Sequence, residues 1–462
     1  MASKVYFMND RANSLAESTP FKAVKLLRDI GIEGLFKKGD TVGIKCHMGE
    51  YGNSLNLRPQ WIKSIVEEIQ RLGGNPVVID GSLGLPMNEY AGRATEADHL
   101  RCVSRHGFNE ETLGCPVWIA DGEFGMDDVK VPVPHGVYMD YSFIGKKFLD
   151  LDACIVVSHF KGHPMGVYGG ALKNVGIGMG SKRGKVSTHF LNHPIYGRKL
   201  WTLNQEAAAE LSKLPHPNPV ESLVSSCPFH AFEYDLEGLH WAEEKCRQCG
   251  TCFTGGLFGG LLAFNPEILA TWAPAMVDAA SAYIKAIGAE NMLYVSYAMD
   301  ISPWCDCVSW HDKPLVPNVG VFASKDPVAL DMACLEATEA LNGMPNSQAE
   351  EAGFMEPNTE RFTNCSSFAS ISQWAQVNSG AYNGLGTTEY VLVESEPGPD
   401  TDFWFAPYTP ENTWYDVNRE VGSMQDYDCG CYARNVPAVP LTELHFRPTG
   451  KVGTISILDD ED

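Results

Sequence analysis

Residues 153–163 of the chain read Ala-Cys-Ile-Val-Val-Ser-His-Phe-Lys-Gly-His. The five apolar residues that open the run predict a strand over residues 153–158 that is buried on both faces. Two histidines and a lysine then follow, at His159, Lys161 and His163. Open α/β sheets bind their ligands beyond the carboxyl ends of parallel strands. The stretch therefore predicts a parallel sheet with a functional loop at the end of this strand.

The sequence on either side alternates between strand and helix patterns. Residues 59–72 show a clear helical stripe that starts at Pro59, and Gly73 and Gly74 end it before the next strand. The predicted strands are 4–8, 41–46, 76–80, 117–120, 129–133, 292–297 and 319–323, and the predicted helices are 21–30, 59–72, 90–106, 143–149, 269–287 and 327–340. This alternation predicts an α/β fold, in which a parallel or mostly parallel sheet carries helices on both faces.

A glycine-rich loop follows the strand at 153–158. It contains Gly169, Gly170, Lys173, Asn174 and Lys185 among further glycines and cationic residues. Glycine lets the backbone approach a ligand closely, and the cations could hold a phosphate or a carboxylate. The spacing fits neither the P-loop nor the dinucleotide fingerprint. The alternative is a glycine-rich connector with solvated lysines; the position at a strand end favours a binding site.

Polar residues follow the predicted strands at five places. They are Lys45, Cys46 and His47; Asp80, Gly81 and Ser82; His159, Lys161 and His163; Asp300, Cys305, Asp306 and Cys307; and Ser324, Lys325 and Asp326. In a parallel sheet these ends lie at one edge, so we expect the groups to share one cleft. The alternative for Asp80 and Asp326 is that each caps a helix.

Cys305 and Cys307 lie two residues apart, with Asp306 between them. They could bind a second metal, or act as a redox or acid–base group if nearby cations lower their pKa. The alternative is a pair of buried structural thiols.

A second cysteine motif occupies residues 246–252. Cys246, Cys249 and Cys252 recur every third residue, and Cys227 with Pro228 lies upstream. This stretch resembles the middle of a bacterial ferredoxin, where such a run and a remote Cys–Pro bind iron–sulfur clusters. We therefore expect the four cysteines to bind one four-iron four-sulfur cluster. The alternatives are a zinc site, which more often uses C-x2-C pairs, and a loop of free thiols.

These features divide the chain into four parts. Residues 1–185 and 266–345 form the two halves of the α/β core, and residues 186–265 form an insert with a ferredoxin-like α+β module. The module should contain a hairpin of strands 231–235 and 239–242. Residues 346–462 are interpreted as a β-rich C-terminal extension, with strand-like runs at 390–394 and 452–458 and an incidental thiol pair at Cys429 and Cys431.

The composition narrows the classes of partner. The chain has 462 residues, of which 35 are Lys or Arg and 58 are Asp or Glu, and its formal net charge is −23. Such an acidic chain is a poor candidate for binding nucleic acid or an anionic membrane. No signal peptide and no apolar run of membrane-spanning length is visible. The 14 cysteines do not form the dense pattern of a secreted disulfide scaffold, so we expect a cytoplasmic protein that could form oligomers.

The chain resembles the domain of unknown function 362 family of iron–sulfur proteins. The matching residues are G-G-A-L-K-N-V-G-I-G-M-G at 169–180, Gly184, Lys185 and His189, the cysteine module, D-I-S-P at 300–303 before Cys305, and A-S-K-D-P-V-A-L-D at 323–331. Many family members carry a complete ferredoxin motif, whereas this chain keeps one divided set. More distantly, the G-G-x-x-K loop is similar to one in lactate racemases, where a cleft holds a nickel-pincer nucleotide.

The resemblance implies electron-transfer chemistry without naming a substrate. We expect an anaerobic oxidoreductase that passes electrons from the cluster to a substrate or to a further organic or metal cofactor in the cleft. His159, His163 and Lys173 would donate protons or hold an anion. One alternative is a non-redox racemase or lyase with a structural cluster. The other is a protein that transfers electrons or a metal to a redox partner.

Overall fold

A computed structural model of the chain describes residues 2–82, 92–189, 201–247, 249–252, 256, 259–366 and 371–403. Its strands are β1 Ser3–Asn9, β2 Thr41–Lys45, β3 Asn75–Asp80, β4 Val117–Ile119, β5 Asp128–Pro132, β6 Tyr141–Gly145, β7 Ala153–His159, β8 Lys161–His163, β9 Val167–Gly169, β10 Trp201–Leu203, β11 Phe232–Asp235, β12 Gly238–Trp241, β13 Leu262–Phe264, β14 Met292–Ala298, β15 Gly320–Ser324 and β16 Tyr390–Glu394.

The helices begin where the sequence supplies capping residues. Asp326, for example, accepts hydrogen bonds from the amides of Val328 and Ala329, both at 2.9 Å, before Pro327 opens its helix. The helices are α1 Thr19–Asp29, α2 Pro59–Arg71, α3 Glu96–Arg105, α4 Glu110–Leu113, α5 Ala171–Gly176, α6 Lys182–His189, α7 Gln205–Leu211, α8 Pro219–Ser226, α9 Pro266–Ile287, α10 Pro327–Glu339, α11 Gln348–Glu351, α12 Arg361–Cys365 and α13 Ala375–Tyr382. Short 3-10 helices lie at Ile32–Gly34, Lys146–Asp150, Ala289–Asn291 and Asp400–Phe403.

Eight strands form the central sheet, in the order β16-β1-β15-β14-β7-β2-β3-β4. The pairs β14–β7, β7–β2, β2–β3 and β3–β4 are parallel, and so is the pair β1–β16. Strand β15 is antiparallel to both of its neighbours, β1 and β14. Seven of these strands therefore run in one direction, which confirms the prediction of a mostly parallel sheet.

Alternate residues of each strand point to two separate cores. In β7, Ile155 and Val157 face the core that α1 and α2 cover, whereas Cys154 and Val156 face the core that α5, α9 and α10 cover. This alternation follows from the two-residue period of a strand. It explains why the strand sequence is apolar throughout, and it confirms the prediction of helices on both faces.

The insert contains two small sheets and two helices among its described residues. Strand β10 pairs with β13, β11 pairs with β12 as a hairpin, and α7 and α8 lie between β10 and β11 in the chain. The hairpin agrees with the predicted strands at 231–235 and 239–242. The ferredoxin-like character of the module remains a prediction.

Two elements differ from the expectations. The predicted helix at 143–149 is wrong, because residues 141–145 form β6, whose backbone pairs with β5, and only Lys146–Asp150 turns as a 3-10 helix. Up to Phe403, the extension contains α11, α12, α13 and one strand, β16, which joins the central sheet. Residues 452–458, Cys429 and Cys431 lie outside the described residues. No helix in the described part of the chain combines the length and apolarity needed to span a membrane.

Candidate functional site

The topology creates an opening between β2 and β7. The chain proceeds from β2 outward through β3 to β4, then returns to the other side of β2 as β7 and continues to β14. The connections therefore leave the carboxyl ends of β2 and β7 in opposite directions. In α/β sheets such a switch point is where ligands bind. The polar residues that follow β2, β3 and β7 lie at this opening.

A cavity of about 130 Å³ lies at the switch point. Fourteen residues that the sequence placed in a cleft or binding loop line it: His47, Asp80, Gly81, Ser82, His159, Lys161, His163, Gly169, Gly170, Lys173, Asn174, Lys185, Asp306 and Cys307. Lys45 lies directly behind the wall, where its Nζ is 2.7 Å from Asn174 Oδ1. Cys305 lies behind it too, with its Sγ 3.7 Å from Lys173 Nζ. The structure thus brings together the residues that follow β2, β3, β7 and β14.

The fifth predicted group does not reach this cavity. Because β15 is antiparallel to β14, its carboxyl end and the residues Ser324, Lys325 and Asp326 lie at the opposite edge of the sheet. Asp326 caps α10 there, which is the alternative that the sequence left open. Asp300 also departs from the expected cleft and pairs with Arg58 at 2.7 Å. Cys46 is buried in the core under α1 and α2.

Lys45 and Asp80 form a buried ion pair at the ends of β2 and β3. Lys45 Nζ lies 2.9 Å from Asp80 Oδ1, and both side chains are buried. Burial opposes the ionised carboxylate, but the charge of Lys45 holds the pKa of Asp80 well below its usual value. Asn174 holds Lys45 in place, because its Oδ1 accepts from Lys45 Nζ while its Nδ2 donates to the carbonyl of Val157 at 2.9 Å. This network anchors the glycine-rich loop to the sheet.

His159 and Asp306 form a second buried pair. His159 Nδ1 lies 3.0 Å from Asp306 Oδ2, and His159 Nε2 lies 2.8 Å from the carbonyl oxygen of Met299. Two acceptors on opposite sides suit an imidazolium that donates from both nitrogens. Lys161 Nζ lies 3.6 Å from the same carboxylate. Burial alone would lower the pKa of Lys161, but the charge of Asp306 holds it above its ordinary value.

His163 has a different environment. Its Nδ1 accepts hydrogen bonds from the amides of Gly166, at 2.9 Å, and Met165, at 3.3 Å. Its ring stacks on Trp272 with centroids 5.4 Å apart. Burial, with the nearby charge of Lys173, lowers the pKa of His163 to about 4. A neutral ring whose Nδ1 accepts must carry its proton on Nε2.

Cys305 lies among cations. Lys173 donates to its sulfur at 3.7 Å, and the amide of Cys307 donates at 3.3 Å. Burial would raise the pKa of Cys305, but a hydrogen bond from the Cys307 thiol and the charge of Lys173 hold it well below the usual value. The pKa of Cys307 is raised by that same hydrogen bond and by burial. The cations around Cys305 therefore favour its thiolate over that of Cys307.

The side chains of His163, Cys305 and Cys307 also form a compact donor group. Their ligand atoms all lie within 4.8 Å of one another, so they could hold a metal ion. A metal ion bound to His163 Nε2 would require the ring proton to move to Nδ1, where it would face the two donating amides. The hydrogen bonds of His163 therefore fit metal binding less well.

The sequence did not point to Arg93, which lines the same cavity and is 3% exposed. Its Nε donates to Glu50 Oε2 at 3.0 Å, and its Nη1 lies 3.0 Å from His47 Nε2. Burial and the charge of Arg93 lower the pKa of His47 to about 3. Arg93 follows a stretch without a strand pattern, so no periodic signal placed it at the sheet edge.

Two glycines of the loop leave room for neighbouring charged side chains. A Cβ on Gly169 would lie 2.9 Å from Lys161 Nζ, and a Cβ on Gly170 would lie 2.3 Å from Asp331 Oδ1. Asp331 accepts hydrogen bonds from the amides of Ala171 and Leu172, at 2.7 and 3.0 Å, and so caps α5 from the neighbouring helix α10. The glycines therefore position Lys173, one turn further along α5.

The four cysteines of the insert line one small pocket. Cys227 follows α8, Cys246, Cys249 and Cys252 follow β12, and Trp201 closes one side. The amide of Ala231 donates to Cys227 Sγ at 3.4 Å. Burial and the neighbouring thiols raise the pKa of Cys252 to about 12. The structure thus brings the four predicted ligands together in one pocket.

Three buried aromatic residues, Trp201, Phe264 and Trp272, lie between this pocket and the cavity at the switch point. Trp201 contacts Phe264 with centroids 4.8 Å apart. Phe264 and Trp272 face the same narrow gap, and Trp272 stacks on His163. Trp272 is 2% exposed. The buried rings of Trp201, Phe264 and Trp272 therefore lie in a row from the wall of the cysteine pocket to His163, with a narrow gap between Phe264 and Trp272.

Comparison with known proteins identifies the family. The model for the domain of unknown function (DUF362) matches residues 42–336, and the chain belongs to this family. A search of curated proteins finds no match. Among solved structures, the lactate racemase apoprotein from Thermoanaerobacterium thermosaccharolyticum is similar, with 10% sequence identity and a TM-score of 0.35. That alignment covers 74% of this chain and 59% of the racemase, so the chain spans less than two thirds of that protein's length.

Proposed function

We propose that this member of the family is an iron–sulfur oxidoreductase whose cavity at the switch point binds a small anionic substrate. Cys227, Cys246, Cys249 and Cys252 would hold one four-iron four-sulfur cluster. Four convergent thiols, one of them a remote Cys followed by Pro, suit such a cluster. When bound, the cluster would supply single electrons, and the substrate chemistry would take place at the cavity.

The observation that carries this proposal is the row of aromatic rings between the two sites. Trp201 lies at the cysteine pocket, and Trp272 lies against His163 and His189, with centroid distances of 5.4 and 5.2 Å. A structural cluster in an insert would need no packed connection to a distant cavity. Electrons that pass between the cluster and the cavity would cross this region, where the buried rings of Trp201, Phe264 and Trp272 lie.

The residues of the cavity would divide the remaining tasks. Lys173 and His163 would hold the thiolate of Cys305, and the Cys305–Cys307 pair would give or take a proton. His159, held between Asp306 and the Met299 carbonyl, would act as a proton donor. Lys161 and Lys185 would stabilise negative charge on the substrate.

A non-redox racemase or lyase is the second candidate. The observation that favours it is the presence of several acid–base groups in one cavity, among them His159, Asp306 and Lys185. Such an enzyme would use the cluster only for structure. Its turnover would then be the same with the cluster oxidised or reduced.

The test is to measure iron and sulfide, with low-temperature EPR before and after dithionite, on protein purified without oxygen. We expect about four irons and four sulfides per chain and a signal that appears on reduction. Cys249→Ser should lose most of the iron and the brown colour, because it removes one ligand. Cys115→Ser is the matched control, since that buried cysteine lies in the core under α1 and α2.

Stoichiometric zinc in place of iron would overturn the proposed cluster. A Cys249→Ser protein with full iron content and an unchanged spectrum would show that the ligand set is wrong. A cluster that dithionite cannot reduce would favour the non-redox candidate over the oxidoreductase.

A further inference from the structure

The side chain of Arg93 is incompletely paired. Its Nε and Nη1 contact Glu50 and His47, but Nη2 is buried and has no hydrogen-bond partner among the described residues. The guanidinium is always charged, and a buried N–H group without an acceptor is costly. Because Arg93 lines the cavity, an acceptor supplied by a ligand would satisfy this group.

Lys185 adds a second charge to the same cavity. Its Nζ donates to the carbonyl of Gly180 at 2.5 Å and lies beside Gly81, at the end of β3. The nearby carboxylates are engaged through one oxygen each. Asp80 Oδ1 pairs with Lys45, and Asp121 Oδ1 accepts from the amide and hydroxyl of Ser82, both at 2.9 Å, whereas Oδ2 of each residue is buried without a hydrogen-bond partner among the described residues. In the described part of the chain no carboxylate forms a salt bridge with Lys185.

The size and donors of the site favour a carboxylate. The cavity of about 130 Å³ lies below the range of roughly 300–1,000 Å³ that drug-sized ligands occupy. Phosphate sites commonly use the amides at a helix N-terminus, but Asp331 already occupies that position on α5. The unpaired Nη2 of the guanidinium and one ammonium suit the two oxygens of a single carboxylate.

We propose that Arg93 and Lys185 form a subsite that holds the carboxylate of a small organic acid, with its neighbouring carbon facing Cys307 and Asp306. Cys307 and Asp306 line the same cavity. The inference names the substrate class of the proposed oxidoreductase. It rests on that proposed function only for the kind of reaction that the bound acid undergoes. The subsite itself depends on the described residues and on no bound cluster.

Two alkylating reagents of nearly the same shape test the subsite. Iodoacetate carries a carboxylate and iodoacetamide carries a neutral amide. In both reactions the thiolate sulfur forms a bond to the CH2 carbon and iodide leaves. The rate of labelling at Cys305 and Cys307 is measured by mass spectrometry on the intact protein, and the ratio of the two rates is compared with that of the urea-unfolded chain.

We expect the iodoacetate-to-iodoacetamide ratio of the folded protein to exceed that of the unfolded chain by about tenfold, the value of one charged hydrogen bond. Arg93→Gln should bring the ratio back to the unfolded value, and Arg93→Lys should keep part of the preference. Arg101→Gln is the matched control, because this exposed arginine pairs with Asp98 away from the cavity.

A second measurement uses the unaltered protein, so it does not depend on whether a variant folds. Acetate should slow the labelling by iodoacetate, whereas acetamide should not. Stronger protection by inorganic phosphate than by acetate would overturn the assignment to a carboxylate. An equal ratio in folded and unfolded protein, or no iodoacetate labelling of either thiol, would overturn the subsite. Iron and sulfide measured on the same sample separate that result from a failure of the proposed cluster.

Discussion

Lys185 should make ligand binding in the cavity depend on pH. Burial lowers the pKa of Lys185 to about 8, although the nearby charges of Asp121 and Asp80 act in the opposite direction. The ammonium holds an anion only while it is protonated, so protection by acetate should weaken as the pH rises through about 8. Lys185→Arg should keep its protection above that pH, since arginine stays charged.

The measurement is the acetate concentration that halves the rate of iodoacetate labelling, taken at several pH values. The rates with and without acetate are compared at the same pH, so the effect of thiol ionisation on the labelling rate cancels. We expect a loss of affinity of up to about tenfold between about pH 7 and pH 9 for the unaltered protein. The same pH profile in Lys185→Arg would assign the effect to another group.

At the residue scale, the sequence predicted most of the cavity because its residues directly follow strands. His159, Lys161, Asp306 and Cys307 all line it, as expected. Arg93 was not predicted, since its position depends on a buried pairing with Glu50, 43 positions away in the chain. The roles of these residues stay predictions, because position alone does not define a reaction.

At the scale of elements, the apolar patterns of the sequence predicted most strands and helices, but they did not predict the direction of each strand in the sheet. Strand β15 has the same apolar character as β14 and β7, yet it runs antiparallel to its neighbours. Direction depends on the connection between β14 and β15, which no apolar periodicity encodes. The helix expected at 143–149 failed for a related reason, because pairing with β5 outweighs the local helical pattern.

The cap that α10 provides for α5 can be tested with Gly170→Ala. The added methyl group would lie 2.3 Å from Asp331 Oδ1, so it must displace the carboxylate from the amides of Ala171 and Leu172. We expect the free energy of unfolding to fall by about 1–3 kcal/mol, as overpacking in a core does. Urea denaturation followed by circular dichroism measures the change.

Gly34→Ala provides the comparison, because no atom lies within 4 Å of the position its methyl group would occupy. That substitution should change the stability by less than about 0.5 kcal/mol. Equal effects of the two substitutions would mean that the close contact with Asp331 does not matter.

At the scale of the whole molecule, the net charge of −23 contrasts with the cationic cavity. Repulsion among the surplus carboxylates opposes the compact state, and salt screens it, with a Debye length that falls from about 30 Å at 0.01 M to about 8 Å at 0.15 M. We expect the melting temperature at pH 7.5 to rise by about 2–4 °C over this range. Thermal melts in sodium chloride give the measurement.

The control is the same series near pH 5, close to the isoelectric point of about 4.9, where the net charge is small. The rise in melting temperature with salt concentration should disappear at that pH. A melting temperature that falls with salt at pH 7.5 would indicate that attractive ion pairs at the surface, such as Lys213–Glu210, outweigh the overall repulsion.

The position of β1 in the sheet has a consequence for biosynthesis. This strand leaves the ribosome long before either of its partners, since β1 pairs with β15 at Gly320–Ser324 and with β16 at Tyr390–Glu394. Until β15 is made, β1 has neither neighbour, whereas β2, β3 and β7 can already pair with one another. We therefore expect β2, β3 and β7 to pair first during synthesis, and β1 must avoid pairing with other exposed strand edges until β15 and β16 have been made.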